Sequence, residues 1–176
     1  MKKCKFLKFI MYLVIFLILI TIFAAIPLQE SLVFQPLHST AKIAYIPIKD
    51  DSRFKIKYTH SIHLTDVIES YKITSDYKIQ QYELEYQDFA IGMPSNAGEG
   101  ERFVQKNGKY YIKNMKRIFP FFNLRIGQVR ANHRVIFDQR EYPLSLYIKP
   151  GSAVKVEFRK LSIIQRWKGV NILESI

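Results

Sequence analysis

The sequence predicts a single all-β domain, an antiparallel β-sandwich or barrel-like fold, preceded by one N-terminal transmembrane helix. Two patterns in the 176 residues support this. Short stretches that alternate apolar and polar residues recur about every 8–12 residues between Gly, Pro and Asn turns, which is typical of all-β domains. Before them, residues 9–28 form an uncharged apolar run. As a helix this run is about 30 Å long, the thickness of the hydrocarbon core of a membrane.

The charges beside the apolar run predict its orientation. All four lysines near it lie on its N-terminal side, so the positive-inside rule places residues 1–8 in the cytoplasm and the folded part beyond the membrane. A cleavable signal peptide is the alternative interpretation. We favour an uncleaved anchor, because the run is long for a signal peptide and no clean small-x-small cleavage site follows Ala24-Ala25. The four lysines are Lys2, Lys3, Lys5 and Lys8.

The cysteine count limits the chemistry of the exported part. Cys4 is the only cysteine in the chain, and it lies before the apolar run. The exported part therefore has no disulfide framework and no thiolate metal site. The sequence suggests no cofactor.

Charge is distributed unevenly along the chain. The formal net charge is +12; residues 30–100 contain 7 Lys/Arg against 10 Asp/Glu, whereas residues 101–176 contain 16 against 5. The basic part either faces anionic lipid, a cell-wall polymer or an acidic partner, or is a solvated surface. Nucleic acid is not an expected partner, because the folded part lies outside the cytoplasm.

The predicted domain boundaries follow from prolines and turn residues. Residues 29–52 are predicted to be a linker with a first strand at residues 42–46, because Pro27, Pro36 and Pro47 interrupt any helix. The all-β domain is expected over residues 53–160. Residues 161–176 are expected to form a C-terminal tail or a short helix.

The stretch from Arg53 to Ile73 predicts the central hairpin. Apolar and polar residues alternate on both sides of a polar break, as in two half-buried strands. The loop is either Leu64-Thr65 or the whole of His63–Asp66, and both choices place His60 opposite Glu69. Directly opposed side chains lie about 5 Å apart. We therefore expect a buried or half-buried His60–Glu69 pair that fixes the register.

Further strands are expected between turn residues in the second half of the chain. Asn107-Gly108 predicts a tight hairpin, and Pro120 predicts an edge or a bend. The glycine-rich stretch 90–101 predicts a loop; no helix start follows it, so it is a weak candidate for phosphate binding. The expected strands cover residues 79–89, 102–105, 109–113, 118–126, 133–137, 144–148 and 153–158.

Several short motifs follow one another along the chain: Tyr58-Thr-His60-Ser61, Val67-Ile-Glu69-Ser-Tyr71, Phe89-Ala-Ile-Gly92-Met-Pro94, Gly108, Arg125-Ile-Gly127, His133 and Pro150-Gly-Ser152. Together they resemble a known bacterial family, the domain of unknown function 1850, over about residues 53–158. One position departs from the family pattern, since Ala90-Ile91 stand where the family has Gly-Ala. The resemblance implies a small exported domain, often encoded near tripartite (TRAP) transporters of the TAXI class, with no established activity.

These observations predict a membrane-anchored extracytoplasmic accessory module that binds a transporter component or a small anionic solute, without catalysis. An anionic solute would need His60, Glu69, Arg125 and His133 to converge. The alternative is a metal-dependent hydrolase that uses His60, His63, Glu69 and His133. Against it, His60 and His63 have an odd spacing, and no Gly-x-Ser-x-Gly elbow is present. The candidate site residues are Tyr58, His60, Ser61, Glu69, Arg125 and His133, with Gly92 and Pro94 in the glycine-rich loop.

Overall fold

The computed structural model describes residues 2–88 and 93–174. Within them, one long helix precedes twelve strands that form two mainly antiparallel sheets, which confirms the all-β sandwich with an N-terminal apolar helix. The helices are α1 (Lys2–Ala25) and α2 (Ile163–Lys168), with 3-10 turns at Leu144–Leu146 and Ile172–Glu174. The strands are β1 (Gln29–Pro36), β2 (Ala44–Pro47), β3 (Arg53–Thr59), β4 (Asp66–Ile73), β5 (Ile79–Tyr86), β6 (Arg102–Lys106), β7 (Lys109–Phe119), β8 (Phe121–Arg125), β9 (Arg134–Phe137), β10 (Arg140–Pro143), β11 (Ala153–Leu161) and β12 (Val170–Asn171).

Helix α1 is long and apolar enough over Phe6–Ala25 to cross a membrane, and none of that stretch is buried in the protein. A signal segment has the same length and composition, so the anchor and the signal peptide remain alternative interpretations. The helix ends at Ala25, three residues before the predicted end at Leu28. Pro27 prevents continuation of the helix, and β1 begins at Gln29.

The prediction of a linker at residues 29–52 was wrong for its first part. β1 lies between β2 and β11 in the five-stranded sheet. Ser31, Leu32, Val33 and Phe34 are all buried. A strand buried on both faces has no apolar–polar alternation, which explains why the pattern did not indicate it. The predicted strand at residues 42–46 is present as β2.

The main core lies between the two sheets. The five-stranded sheet has the order β12-β2-β1-β11-β8, and the seven-stranded sheet has the order β10-β9-β3-β4-β5-β7-β6. Beyond the main core, a second apolar cluster on the seven-stranded sheet is centred on Val67, Tyr86 and Ile112. The residues of the main core include Leu32, Phe34, Ile46, Val154 and Val156 from one sheet, and Phe54, Ile56, Ile73, Ile79 and Val135 from the other.

Turn residues set several connections as predicted. Asn107 and Gly108 both have positive φ, 54° and 74°, and connect β6 to β7 as a tight hairpin. Pro120 lies at the bend where the chain leaves β7 in one sheet and enters β8 in the other.

The strand predicted at residues 144–148 is absent, because this segment begins with the 3-10 turn at Leu144–Leu146. The C-terminal segment contains the short helix α2, which a Ser162–Gln165 capping box begins.

The sandwich has two ends that differ in what they contact. At the proximal end the chain leaves α1, and the Leu28 N–H donates to the Leu161 carbonyl at 3.2 Å. At the distal end β3 and β8 finish, and the loops 60–65 and 126–133 follow them. The Thr59 N–H donates to the Ala131 carbonyl at 2.8 Å, which brings these two distal loops side by side.

Candidate functional site

The central hairpin exists, but its register differs from the predicted one. β3 and β4 are adjacent and antiparallel, with Ile56 opposite Glu69 and Tyr58 opposite Val67. The strand β3 ends at Thr59. A hydrogen bond of 2.8 Å from the His60 N–H to the Thr65 carbonyl closes the loop 60–65. The predicted His60–Glu69 pair was therefore wrong.

The error has a specific physical cause. The observed partners are shifted by four residues from the predicted ones, since Tyr58 faces Val67 in place of Tyr71. A shift by an even number leaves every side chain on the same face of the sheet. Apolar alternation alone therefore fits both registers equally well, and the loop length selects between them.

Glu69 has a tyrosine partner instead of a histidine. The Tyr71 hydroxyl donates to Glu69 Oε2 at 2.8 Å, between residues two apart on the same strand. Burial raises the pKa of Glu69 above its ordinary value, and the hydrogen bond from Tyr71 opposes that rise. Burial and the nearby charge of Glu69 raise the pKa of Tyr58 to about 12. Both tyrosines are thus neutral hydroxyl donors near neutral pH.

His133 completes this group from the other side of β3. Its ring stacks on Tyr58 with centroids 5.3 Å apart, and its Nδ1 accepts from the Gly127 N–H at 3.2 Å. Acceptance at Nδ1 places the proton of the neutral ring on Nε2. His133 is only 8% exposed, and burial lowers its pKa. We call the half-buried group of Tyr58, Glu69, Tyr71 and His133 the distal cluster.

The distal cluster is fixed to both sheets by aromatic stacking. The Tyr71 ring lies 5.2 Å from Phe54 on β3 and 5.1 Å from Phe122 on β8, with nearly parallel planes. Because β8 belongs to the other sheet, Tyr71 connects the two layers. Its hydroxyl then holds the Glu69 carboxylate in place.

The other predicted site residues do not join the distal cluster. Arg125 is exposed and lies at the end of β8, where Phe122 and Leu124 are the inward-facing residues. Ser61 and His63 are exposed in the loop 60–65, and the rings of His60 and His63 are 5.9 Å apart. The expected convergence of His60, Glu69, Arg125 and His133 was therefore wrong.

The glycine-rich loop is described only in part. Gly92 lies outside the described residues. The Pro94 carbonyl accepts a hydrogen bond from the Tyr86 hydroxyl, so Pro94 is tied to the second apolar cluster through Tyr86.

These positions do not give the metal-dependent hydrolase a set of metal ligands. Two of its histidines lie in the loop 60–65, whereas Glu69 and His133 belong to the distal cluster. Across residues 2–88 and 93–174, no three His, Cys, Asp or Glu side chains are grouped closely enough to hold a metal ion.

The apolar–polar alternation did not indicate three exposed apolar residues on the distal loops. Ile62 and Leu64 are each more than half exposed, and Val129 is 88% exposed. Leu64 also has a positive φ of 58°. The only indication in the sequence is an apolar residue within a polar turn segment, such as Val129 between Gln128 and Arg130. We call Ile62, Leu64 and Val129 the distal apolar residues.

A family model for "Domain of unknown function (DUF1850)" matches residues 54–144, just over half of the chain. The chain belongs to the DUF1850 family. The DUF1850 match runs from β3 to Leu144, so it includes the distal cluster and both distal loops, while β1, β2, β11 and β12 lie outside it. Neither the curated proteins nor the solved structures gave a match to the chain.

Proposed function

We propose that this DUF1850 protein is a membrane-anchored extracytoplasmic accessory module that binds a protein partner through its two distal loops. α1 anchors the chain, with the N-terminal lysines on the cytoplasmic side. The single observation that carries the proposal is the exposure of Ile62, Leu64 and Val129 on adjoining loops. Exposed apolar side chains gathered on ordered loops are typical of surfaces that bind another macromolecule.

The backbone of Leu64 supports a binding role for the loop 60–65. Its φ of 58° lies in the left-handed region, which costs about 1–2 kcal/mol for a residue other than glycine. Glycine or asparagine would adopt this conformation more easily, and either would expose less apolar surface. A strained backbone that presents an apolar side chain to solvent is expected where recognition of a partner compensates for the strain.

The distal cluster supports the proposal by holding the second loop in shape. His133 accepts from the N–H of Gly127 at the start of that loop. A Cβ at Gly127 would lie 2.4 Å from the Cβ of Ala131, so the loop closes too tightly for a larger residue. A preformed loop loses less conformational entropy when a partner binds it.

The partner class comes from the family resemblance. Because that resemblance implies an association with TRAP transporters of the TAXI class, we propose the extracytoplasmic part of a membrane component of such a transporter as the partner. Both proteins would then be confined to the same membrane, which raises their effective concentration. A small anionic solute stays an alternative prediction, and the exposed position of Arg125 away from the distal cluster gives it no added support.

We propose binding rather than catalysis for this chain. The hydrolase alternative needs His60, His63, Glu69 and His133 to share one centre. The loop 60–65 carries the first two, and the distal cluster carries the others. The geometry therefore favours a recognition surface above a rigid polar cluster.

Co-purification of the full-length chain with the membrane subunit of a co-expressed TRAP transporter tests this proposal. The test variant combines Ile62→Ser, Leu64→Asn and Val129→Ser. We expect it to retain about tenfold less of the transporter subunit than the wild type, since buried apolar contacts dominate protein interfaces. Ile118→Ser is the matched control, because Ile118 is 53% exposed on β7, outside the distal loops.

Circular dichroism of each purified variant verifies that the sandwich is folded. Equal recovery of the transporter subunit with the wild type and the folded triple variant would rule out the distal loops as the contact. Equal loss with the control variant would show that the effect is not specific to the distal apolar residues.

A further inference from the structure

The short helix α2 lies where the chain leaves α1. The Leu28 N–H donates to the Leu161 carbonyl, and α2 begins only two residues later, at Ile163. α1 and α2 also contact each other. α2 begins at this level and rises about 9 Å over its six residues. It runs along the five-stranded sheet, since the Val170 N–H that follows it donates to the Ile43 carbonyl, and Val170 lies opposite Ala44. This inference rests on the membrane anchoring by α1 that is part of the proposed function.

One face of α2 is apolar and uncovered. Ile163 and Trp167 are four residues apart, which places them on the same side of the helix. Ile163 is 48% exposed and Trp167 is 85% exposed. After α2, Gly169 lies against Ile43, which packs on a separate buried cluster of Val33, Tyr45 and Leu161 on the five-stranded sheet. A tryptophan next to a membrane span is typical of the headgroup region, where its ring lies in apolar surroundings and its N–H reaches water or lipid.

The surface beside α2 is basic. A hollow between α2 and the chain before β2 has Lys42, Arg159 and Lys168 in its lining, together with Gln35 and Gln165. The described residues that line it include no carboxylate. Glu157, which lies on the sheet, has its Oε1 2.9 Å from the Arg159 Nε.

Ile163, Arg166 and Trp167 border a second hollow, which Tyr45 and Glu174 also line. The Glu174 carboxylate accepts a hydrogen bond from the Asn171 amide at 2.7 Å. Because basic side chains predominate around α2, its charge complements anionic lipid headgroups.

We propose that α2 is a second membrane contact, with Ile163 and Trp167 in the headgroup region of the leaflet that α1 leaves, and Lys168 against anionic lipid phosphates. The occupant of this surface is thus the bilayer itself. Contact at two places fixes the tilt of the sandwich, which a single anchor at α1 does not do. The distal loops, at the opposite end, then point away from the membrane.

Fluorescence quenching in liposomes tests the proposal directly, because Trp167 is the only tryptophan of the chain. The full-length protein is reconstituted in phosphatidylcholine with a minority of phosphatidylglycerol. Lipids with a nitroxide near the headgroup are expected to quench Trp167 strongly, lipids with a nitroxide near the bilayer centre weakly, and iodide in the buffer weakly. Strong iodide quenching without lipid quenching would overturn the proposal.

A matched control moves the tryptophan to the distal end. In a variant with Trp167→Phe and Val129→Trp, the new tryptophan is expected to be quenched by iodide and not by the labelled lipids. Lipid quenching of this distal tryptophan as well would overturn the proposal, because it would show that the whole domain lies on the membrane. Lys168→Gln is expected to lose part of the shallow quenching, and undiminished quenching would exclude the phosphate contact.

Flotation of the liposomes separates this inference from the anchoring on which it rests. Protein that floats with the lipid but shows an iodide-accessible Trp167 contradicts the role of α2 alone. Protein that fails to float contradicts the anchoring by α1. The distal triple variant is expected to float and to show the quenching of the wild type, since the partner surface is at the other end.

Discussion

Two residues of the distal cluster have pKa values moved by the same cause in opposite directions. Burial raises the pKa of Glu69, because it disfavours the carboxylate, and lowers the pKa of His133, because it disfavours the imidazolium. Both shifts therefore favour neutral side chains. The hydrogen bond from the Gly127 N–H fits the neutral His133 ring, whereas the one from Tyr71 opposes the rise in the pKa of Glu69.

The raised pKa of Glu69 predicts a pH-dependent effect of Glu69→Gln. The folded protein holds the carboxyl proton at pH values where the unfolded chain has released it, so the contribution of Glu69 to stability is complete below the unfolded pKa. It is lost as the pH rises through the folded pKa. The glutamine variant keeps an acceptor for the Tyr71 hydroxyl and has no such loss. We expect its free energy of unfolding to rise relative to the wild type from about pH 4 to about pH 7.

Urea unfolding followed by circular dichroism measures this difference. Glu83→Gln is a suitable control, because Glu83 pairs with Lys113 at 3.2 Å near the surface and shows no comparable burial. A difference between the wild type and Glu69→Gln that does not change with pH would contradict a half-buried Glu69 carboxyl.

At the scale of elements, β1 is the strand on which the five-stranded sheet depends. It pairs with β11 along its whole length and with β2 over residues 31–34. Only three residues separate it from α1, so the apolar helix joins the domain at an inner strand of a sheet. The apolar helix is therefore coupled to the core without a long linker between them.

The position of β1 predicts a large effect of Leu32→Ala. Leu32 is fully buried in the main core, and truncation of such a residue costs about 2–5 kcal/mol through lost burial and the remaining cavity. Gln35→Ala on the same strand is expected to cost about 0.5 kcal/mol or less. The measurement is urea unfolding of both variants. Equal stability of the two variants would contradict the placement of β1 in the core.

At the scale of the whole molecule, the proposed binding surface and the proposed anchor lie at opposite ends of one sandwich. The proximal end holds the end of α1, the start of α2 and the turn at residues 74–78, whose Tyr77 hydroxyl donates to Glu30 at 3.1 Å. The distal end holds Tyr58, His133 and the loops proposed to bind a partner. The strands between them are about 20–25 Å long for seven or eight residues, so the proposed binding surface stands clear of the lipid headgroups.

The proposed orientation of the molecule predicts the accessibility of its one thiol. Cys4 precedes the apolar stretch Phe6–Ala25 of α1, so an N-terminus in the cytoplasm shields it from a membrane-impermeant maleimide added to intact spheroplasts. Labelling is expected only after the membrane is permeabilised. Ser145→Cys combined with Cys4→Ser is expected to be labelled in intact spheroplasts, because Ser145 is exposed on the folded domain. The reverse labelling of the two thiols would invert the proposed topology.

The sequence by itself determined the features that depend on local chemistry. The apolar helix, the alternating strands β3, β4 and β5, the Asn107-Gly108 hairpin and the bend at Pro120 each follow from length, periodicity or backbone preference over a few residues. Only the tertiary structure decided the register of β3 on β4, the presence of β1 and the composition of the distal cluster. An even register shift preserves the faces of a strand, and a strand buried on both faces shows no alternation. The Tyr71 ring that holds Glu69 stacks on Phe122 of the other sheet, and the partner of His133 lies in a loop that follows that sheet, so long-range packing sets the composition of the distal cluster.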